Sequence, residues 1–270
     1  MVTNRGDTET RRLRREETVE SGDLSFRSRG FVQGEIKSMA FVEVNEVNKV
    51  YRPDGAGSEV RVVAGVSLEI GEGEFVCLMG PSDSGKSTLL TIVGAMNHPS
   101  DGSVLIDGID VYGLAEERRA DFRREYLGFV FQQHHLMPYL NTIENVMLPF
   151  AAAAGSPKQK RGRAMAVLES VGLADKASRL PNQLSGGEQG RLAIARAIVN
   201  QAPLILADEP TGTLDTQTGS EIMGVFLSLN AAGQTIFMVT HNPENARLAH
   251  RTLNMRDGHL SAATLEGQVL

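Results

Sequence analysis

Cysteine is nearly absent from this 270-residue chain, Cys77 being the single thiol. Without a second cysteine there is no disulfide within the chain, and the setting Phe75-Val76-Cys77-Leu78-Met79 makes the thiol a small buried hydrophobe, as expected of a reducing compartment. A basic excess is missing too. The formal net charge is −6, so no positive field advertises nucleic acid as a partner. Long apolar runs are also lacking: no window reaches the roughly 18 to 20 residues needed to cross a bilayer, and the N-terminus has no apolar stretch of the signal-peptide kind. The chain is expected to be soluble and to serve a membrane only by docking on another subunit. Its length suffices for a full core, with one large domain carrying a subdomain as the expectation.

Residues 1–38 hold eight basic and seven acidic side chains, including Arg11-Arg12-Leu13-Arg14-Arg15-Glu16-Glu17, with few apolar ones. No face there can be buried, and the segment reads as disordered. Met39-Ala40 opens the first strand-like stretch, and Gln33-Gly34-Glu35 can be encoded by a purine-rich run resembling a ribosome-binding site. Translation from Met39 is therefore an expectation, which the intact mass of the natively expressed protein checks.

From 41 to 79, short β-rich runs alternate with Gly and Asp turns: Phe41–Val44, Val60–Val63, Val66–Ile70 and Glu74–Met79. The last is continuously apolar, as a strand covered on both faces is. It feeds a glycine-rich loop, Gly80-Pro81-Ser82-Asp83-Ser84-Gly85-Lys86-Ser87-Thr88, and then a helical run from Ser87 to Val93. Residues 139–180 switch to helical spacing, most clearly Arg163–Val171, and read as an insertion between core strands. Strand character returns at Leu204–Ala207 and Thr235–Thr240, with Ala195–Ile198 and Glu221–Leu227 as helical stretches around them. This alternation predicts an α/β fold with a mainly parallel sheet.

Strand, glycine loop and helix in succession is the context in which a phosphate-binding loop is credible. Gly80 and Gly85 let backbone N–H groups converge on phosphate oxygens, and the helix start offers its positive end to the same anion. Lys86 would reach the β- and γ-phosphates and Ser87 would ligate Mg²⁺. A second glycine-rich turn, Leu184-Ser185-Gly186-Gly187-Glu188, precedes the apolar strand that ends in Asp208-Glu209. Two adjacent carboxylates at a strand end are costly unless a metal or protons neutralise them, so a purely structural role is disfavoured. Asp208 would hold Mg²⁺ through water, and Glu209 would polarise the attacking water. His241 follows the strand Thr235–Thr240, where open α/β sheets place their ligands. His241 and Gln132, in Phe129-Val130-Phe131-Gln132-Gln133, are ambiguous alone and gain meaning from this company.

Together these motifs make the chain resemble the ATP-binding subunit of an ABC transporter from about residue 41 to 260. The resemblance makes Tyr51 the aromatic that stacks on adenine, 80–88 the Walker A loop, Gln132 the Q-loop glutamine and a further metal ligand, Ser185, Gly186 and Gly187 the signature turn, and Asp208-Glu209 the Walker B pair. It makes Asp215, in Leu214-Asp215, the D-loop residue and His241 the switch histidine. The implied fold is a P-loop NTPase (RecA-like) core with an N-terminal antiparallel β subdomain and an α-helical subdomain at about 134–186, all within 39–270. The implied cofactors are ATP and Mg²⁺. The implied partners are a second copy or a similar ATPase and an integral-membrane permease, with no nucleic acid, at the cytoplasmic face of the inner or plasma membrane. In that family the signature turn faces the γ-phosphate bound by the partner, so two composite sites form in a head-to-tail dimer.

Within the family the resemblance is nearest to the lipoprotein-releasing and macrolide-exporting group, on Phe129–Gln133, Glu144-Asn145-Val146-Met147-Leu148-Pro149, Asp208-Glu209-Pro210-Thr211-Gly212 and Thr240-His241-Asn242-Pro243-Glu244. The short stretch after Met255-Arg256-Asp257-Gly258 leaves no room for a further regulatory domain, which favours export or lipid extraction over import. Two departures stand out. Asp83 occupies a position usually held by Gly, and a carboxylate about 6 Å from a phosphate charge costs roughly 3 kcal/mol at an effective dielectric near 20, so weaker ATP binding is expected. Gly190 replaces a common Gln, and since Gly costs about 1 kcal/mol in a helix relative to Ala, a looser helix start is expected. Two rival readings remain. A soluble ATP-switched machine of DNA repair or translation would show long coiled coils or a second cassette, and neither is present. A non-hydrolysing regulatory module is suggested by Asp83 and opposed by Lys86, Glu209 and His241.

Overall fold

The computed structural model describes residues 40–52, 59–151 and 155–261; the expected disordered tail and the Met39 start lie outside them. Chain order runs β1 (Val42–Tyr51), β2 (Val60–Ile70), β3 (Phe75–Met79), α1 (Lys86–Val93), β4 (Asp101–Ile106), β5 (Ile109–Asp110), α2 (Glu116–Tyr126), β6 (Leu127–Phe131), α3 (Thr142–Met147), α4 (Pro157–Ser170), α5 (Gly186–Ile198), β7 (Leu204–Asp208), α6 (Thr216–Ala231), β8 (Thr235–Thr240), α7 (Pro243–Ala246), β9 (Arg251–Arg256) and β10 (His259–Ser261).

Two sheets form. β2-β1-β4-β5 is antiparallel throughout. The second has the order β10-β9-β3-β8-β7-β6, parallel from β9 to β6, with β10 antiparallel at the edge. The expected mainly parallel core and N-terminal antiparallel sheet are both present.

Strand alternation divides the parallel sheet into two faces. Val76, Leu78, Leu204, Leu206, Phe237 and Val239 pack with α1 and the antiparallel sheet. Their neighbours Phe75, Ile205, Ala207, Ile236 and Met238 pack on the other face against α5 and α6. Both faces are therefore dry, which is why β3, β7 and β8 are continuous apolar runs. Cys77 is fully buried, and burial pushes its thiol up to about 12.

A third core joins α3 and α4 to the outward side of α5, through Ile143, Val146, Leu168, Leu192 and Ala195 among others. Since Ala193, Ile194 and Ala197 of α5 face the sheet, this one helix is shared by the sheet and the helical layer. The two α-helices of the expected insertion are firmly started: α3 is capped by Asn141 and α4 by Ser156, each with a reciprocal capping box to the residue three on. No described helix is long and apolar enough to cross a membrane.

Candidate functional site

Four adjacent parallel strands end in register. Met79 pairs with Thr240, Val239 with Asp208, and Asp208 with Phe131. The residues that follow these strand ends, Gly80, His241, Glu209 and Gln132, therefore stand in one row along the carboxyl edge of the sheet, where open α/β sheets bind ligands.

Residues 80–85 connect β3 to α1, and the helix begins with Lys86. Gly80 and Gly85 are required by the protein itself as well as by any anion. A Cβ on Gly80 would sit 2.1 Å from the Met255 carbonyl, and one on Gly85, at φ 99°, would sit 2.3 Å from the Val62 carbonyl. The loop is thus wedged between β9 and β2. Pro81, Ser82 and Asp83 form its exposed crest. Asp83 has φ 63°, a left-handed conformation that Asp tolerates better than most residues, so the loop keeps its shape without glycine there. Lys86 is 7% exposed and its Nζ donates to the Pro81 carbonyl at 2.7 Å. The Ser84 hydroxyl is buried and has no partner among the described residues, a polar group left over for a ligand. Thr88 lies in the first turn of α1.

Ser87 and Asp208, 121 positions apart, meet: Ser87 Oγ donates to Asp208 Oδ1 at 3.0 Å. Burial raises the Asp208 pKa, the Ser87 hydrogen bond opposes that rise, and the neighbouring Glu209 charge adds to it. Among the described residues no group of three or more His, Cys, Asp or Glu stands ready to hold a metal. The oxygen pair Ser87–Asp208 suits a hard cation whose other ligands are phosphate and water, which is the way Mg²⁺ binds in nucleotide sites.

Glu209 is left-handed at φ 47°. Its carboxylate is held on both oxygens: Thr240 Oγ1 donates to Oε2 at 3.1 Å, and His241 Nδ1 lies 2.8 Å from Oε1. The Glu209 side chain is 13% exposed against 63% for His241, so the carboxylate is sheltered and the imidazole open. Gln132 is exposed, and its amide nitrogen lies against Gly212, just beyond Glu209. Tyr51, at the end of β1, is 42% exposed; its hydroxyl accepts from Asn97 Nδ2 at 2.8 Å and Lys49 Nζ lies 5.0 Å from its ring centre.

The second glycine turn belongs to a different part of the molecule. Ser185 caps α5 in a reciprocal box with Glu188, and Gly187 lies so close to α6 that a Cβ would meet Thr218 Cγ2 at 2.4 Å. Ser185 and Gly186 are exposed. Among the described residues no hydrogen bond joins 185–187 to 80–88. Glu188 forms an ion pair with Lys176, and that hydrogen bond, together with the Ser185 N–H, holds its carboxyl below the usual range. Asp215 caps α6, accepting from Thr218 N at 3.0 Å. At Gly190, where a looser helix start is expected, α5 keeps its helical backbone. The helix is unbroken from Gly186 to Ile198, and Gly190 is buried where a Cβ would lie 3.0 Å from Ile222 Cδ1, so the missing side chain lets α5 and α6 approach.

Thr240 was not singled out as a site residue on sequence grounds. Its signal was present all the same: a hydroxyl at the carboxyl end of a buried strand, next to His241.

The ABC transporter family model matches residues 63–212. An ABC transporter ATP-binding protein of Bacillus subtilis, YknY, is 45% identical over 224 residues, covering 83% of this chain and 96% of the relative. A macrolide export ATP-binding/permease protein, MacB 1/2 of Paracoccus denitrificans, is 46% identical over 222 residues, which make up 82% of this chain but 33% of that protein. Among solved structures, the dimeric ATP-binding cassette MJ0796 in a post-hydrolysis state with ADP and phosphate superposes with a TM-score of 0.76 at 42% identity, over 84% of this chain and 99% of that one. The chain belongs to the ABC transporter family, as an ATP-binding subunit.

Proposed function

We propose that this subunit drives export, or extraction of a lipid or lipoprotein, through a separate integral-membrane permease. It would work as a head-to-tail dimer with itself or a similar ATPase, peripheral to the cytoplasmic face of the membrane. Similarity to a macrolide export protein that joins an ATP-binding part to a permease part supports this reading, as does the dimeric state of the solved cassette. We assign 39–270 to the ATP-binding domain, with a helical subdomain at about 134–186 that leans on α5.

The observation that carries the catalytic assignment is the row at the sheet edge, where Ser87 meets Asp208 and Glu209 meets His241. Residues 80–88 cradle the phosphates through backbone N–H groups and Lys86 neutralises charge on them. Tyr51 receives the adenine. Mg²⁺, when bound, neutralises phosphate charge, and Ser87, Asp208 and Gln132 would hold it. Glu209 accepts hydrogen-bonding from the attacking water and orients it, while Thr240 and His241 keep the carboxylate aimed. Ser185, Gly186 and Gly187, with Asp215, complete the partner's site.

Replacing Glu209 with Gln keeps the size and the Thr240 and His241 contacts but removes the basic carboxylate. Glu209→Gln is expected to lower ATP turnover by about 10²-fold or more, with ATP binding retained. Equal near-zero rates for the two proteins would favour a non-hydrolysing module instead.

A further inference from the structure

The backbone leaving Gln132 is held by a side chain from the helix that carries the signature turn. Arg196 lies near the far end of α5. Its Nη1 donates to the His135 carbonyl and its Nη2 to the His134 carbonyl, both at 2.6 Å. These carbonyls belong to two consecutive non-glycine residues in the left-handed region, at φ 59° and 46°. L-residues avoid that conformation, and two in succession persist only where their surroundings impose it. Here the surroundings come from α5. Besides the Arg196 fork, the His134 ring is buried near Gly190, 3.7 Å from where a Cβ would stand, with its Nδ1 unpartnered among the described residues. The His135 ring meets Phe131 edge-on at 5.0 Å.

α5 is also fixed to the strand that delivers Gln132. A Cβ on Gly128 of β6 would sit 2.4 Å from the Ala197 carbonyl, so helix and strand touch backbone to backbone one residue beyond Arg196. The fork geometry of guanidinium suits two adjacent carbonyls in a way that a lysine's point charge does not. We propose that Arg196 is a positioning residue for ATP hydrolysis: it pins the strained turn after Gln132 to the signature helix and thereby sets where the Gln132 amide lies. This rests on the assignment of Gln132 to the nucleotide site. Arg196 and His135 also line a cleft of about 520 Å³ with Phe131, Pro149 and Arg123.

The test is steady-state ATP hydrolysis by the full chain carrying Arg196→Met, alone and with His135→Gly, alongside Gln132→Ala. Because small misplacements of catalytic groups cost heavily, Arg196→Met is expected to lower kcat about tenfold with KM for ATP within about twofold. Adding His135→Gly, which removes the left-handed penalty at one of the two positions, is expected to recover kcat about threefold or more. A wild-type kcat in Arg196→Met, or a fall that glycine does not relieve, overturns the proposal. If Arg196→Met does not fold, Arg196→Lys gives the same reading, because loss of the fork still lowers kcat and glycine still restores it. Should Gln132→Ala hydrolyse ATP at the wild-type rate, the Gln132 assignment fails first. Should Gln132→Ala be slow while Arg196→Met is not, only the positioning role fails.

Discussion

The two glycine-rich turns are built on opposite plans. The loop at 80–85 is pinned from behind by carbonyls of Met255 and Val62, from β9 and β2, and is joined in front to Asp208 through Ser87. The turn at 185–187 is pinned only at its last residue, Gly187, against Thr218 of α6, while its start stays open: Ser185 and Glu188 cap each other, and exposed Gly186 has the Leu214 side chain as its near neighbour. One turn is finished within the subunit, and the other presents an uncovered helix start to whatever approaches it. The first plan gives a rigid loop suited to cradling an anion, and the second an open surface that the proposed head-to-tail dimer would complete.

Alanine at each turn separates the plans with the largest expected effect. Gly80→Ala pushes a methyl to within 2.1 Å of a backbone carbonyl that cannot rotate away. It is expected to destabilise the isolated subunit by about 3 kcal/mol or more, read as a fall in the denaturant midpoint. Gly186→Ala meets only Leu214 Cδ2 at 3.2 Å, a side-chain end that can give. Its unfolding free energy should stay within about 0.5 kcal/mol of wild type while ATP turnover falls. A large loss of stability in Gly186→Ala would erase the contrast.

How far each turn was legible in the sequence follows from the same difference. The strand feeding the first loop and its two neighbours in the sheet are buried on both faces, so β3, β7 and β8 stand out as apolar runs, and Thr235–Thr240 matches β8 end to end. Strands with one wet face do not: β4 and β9 mix charged and apolar residues, and no local pattern marks them as strands. Helix α2 buries only Phe122 and offers no stripe to find. β2 reads as two strands because Gly65, at φ 57°, interrupts the pattern beside the irregular pairing of Val47 and Lys49. Site residues were recognisable by type and order, yet the pairs Ser87–Asp208 and Glu209–His241 are consequences of strand register, which no local pattern states. The Arg196 fork depends on tertiary packing alone.

Titration offers a second, smaller separation. Asp208, in the row, has its pKa raised chiefly by burial. A carboxyl that is harder to ionise when folded costs stability once the pH is above its folded value, and that cost vanishes as the pH falls below the unfolded value near 3.9. Asp208→Asn is therefore expected to raise the melting temperature of the nucleotide-free protein at pH 7 while abolishing turnover. Glu188, beside the signature turn, has its pKa lowered by Lys176 and Ser185. Its contribution is full above about 4.3 and declines as the pH falls toward the folded value. Glu188→Gln should thus lower the pH 7 melting temperature, through a stability loss of less than about 1 kcal/mol for so partly exposed a pair, and flatten the acid side of the curve. Opposite signs for the two substitutions are the expected result of pH-dependent melting, and matching signs would mean that the two regions do not differ in this respect.

The smallest effect tests the crest of the first loop, the one part of it that faces outward like the signature turn. Asp83 is exposed, so the roughly 3 kcal/mol that a fully felt charge would cost at 6 Å is cut down by water and salt. Its φ of 63° is equally open to glycine, so Asp83→Gly removes the charge without reshaping the backbone. The variant is expected to bind ATP about two- to tenfold more tightly, with the gain shrinking as salt rises, because only the screened electrostatic part is at stake. A titration at low and high ionic strength reads this directly. Equal affinities at low salt would mean that the Asp83 carboxylate points clear of the phosphates, and the crest would then belong with the pinned base of the loop in leaving nucleotide affinity to Lys86 and the backbone.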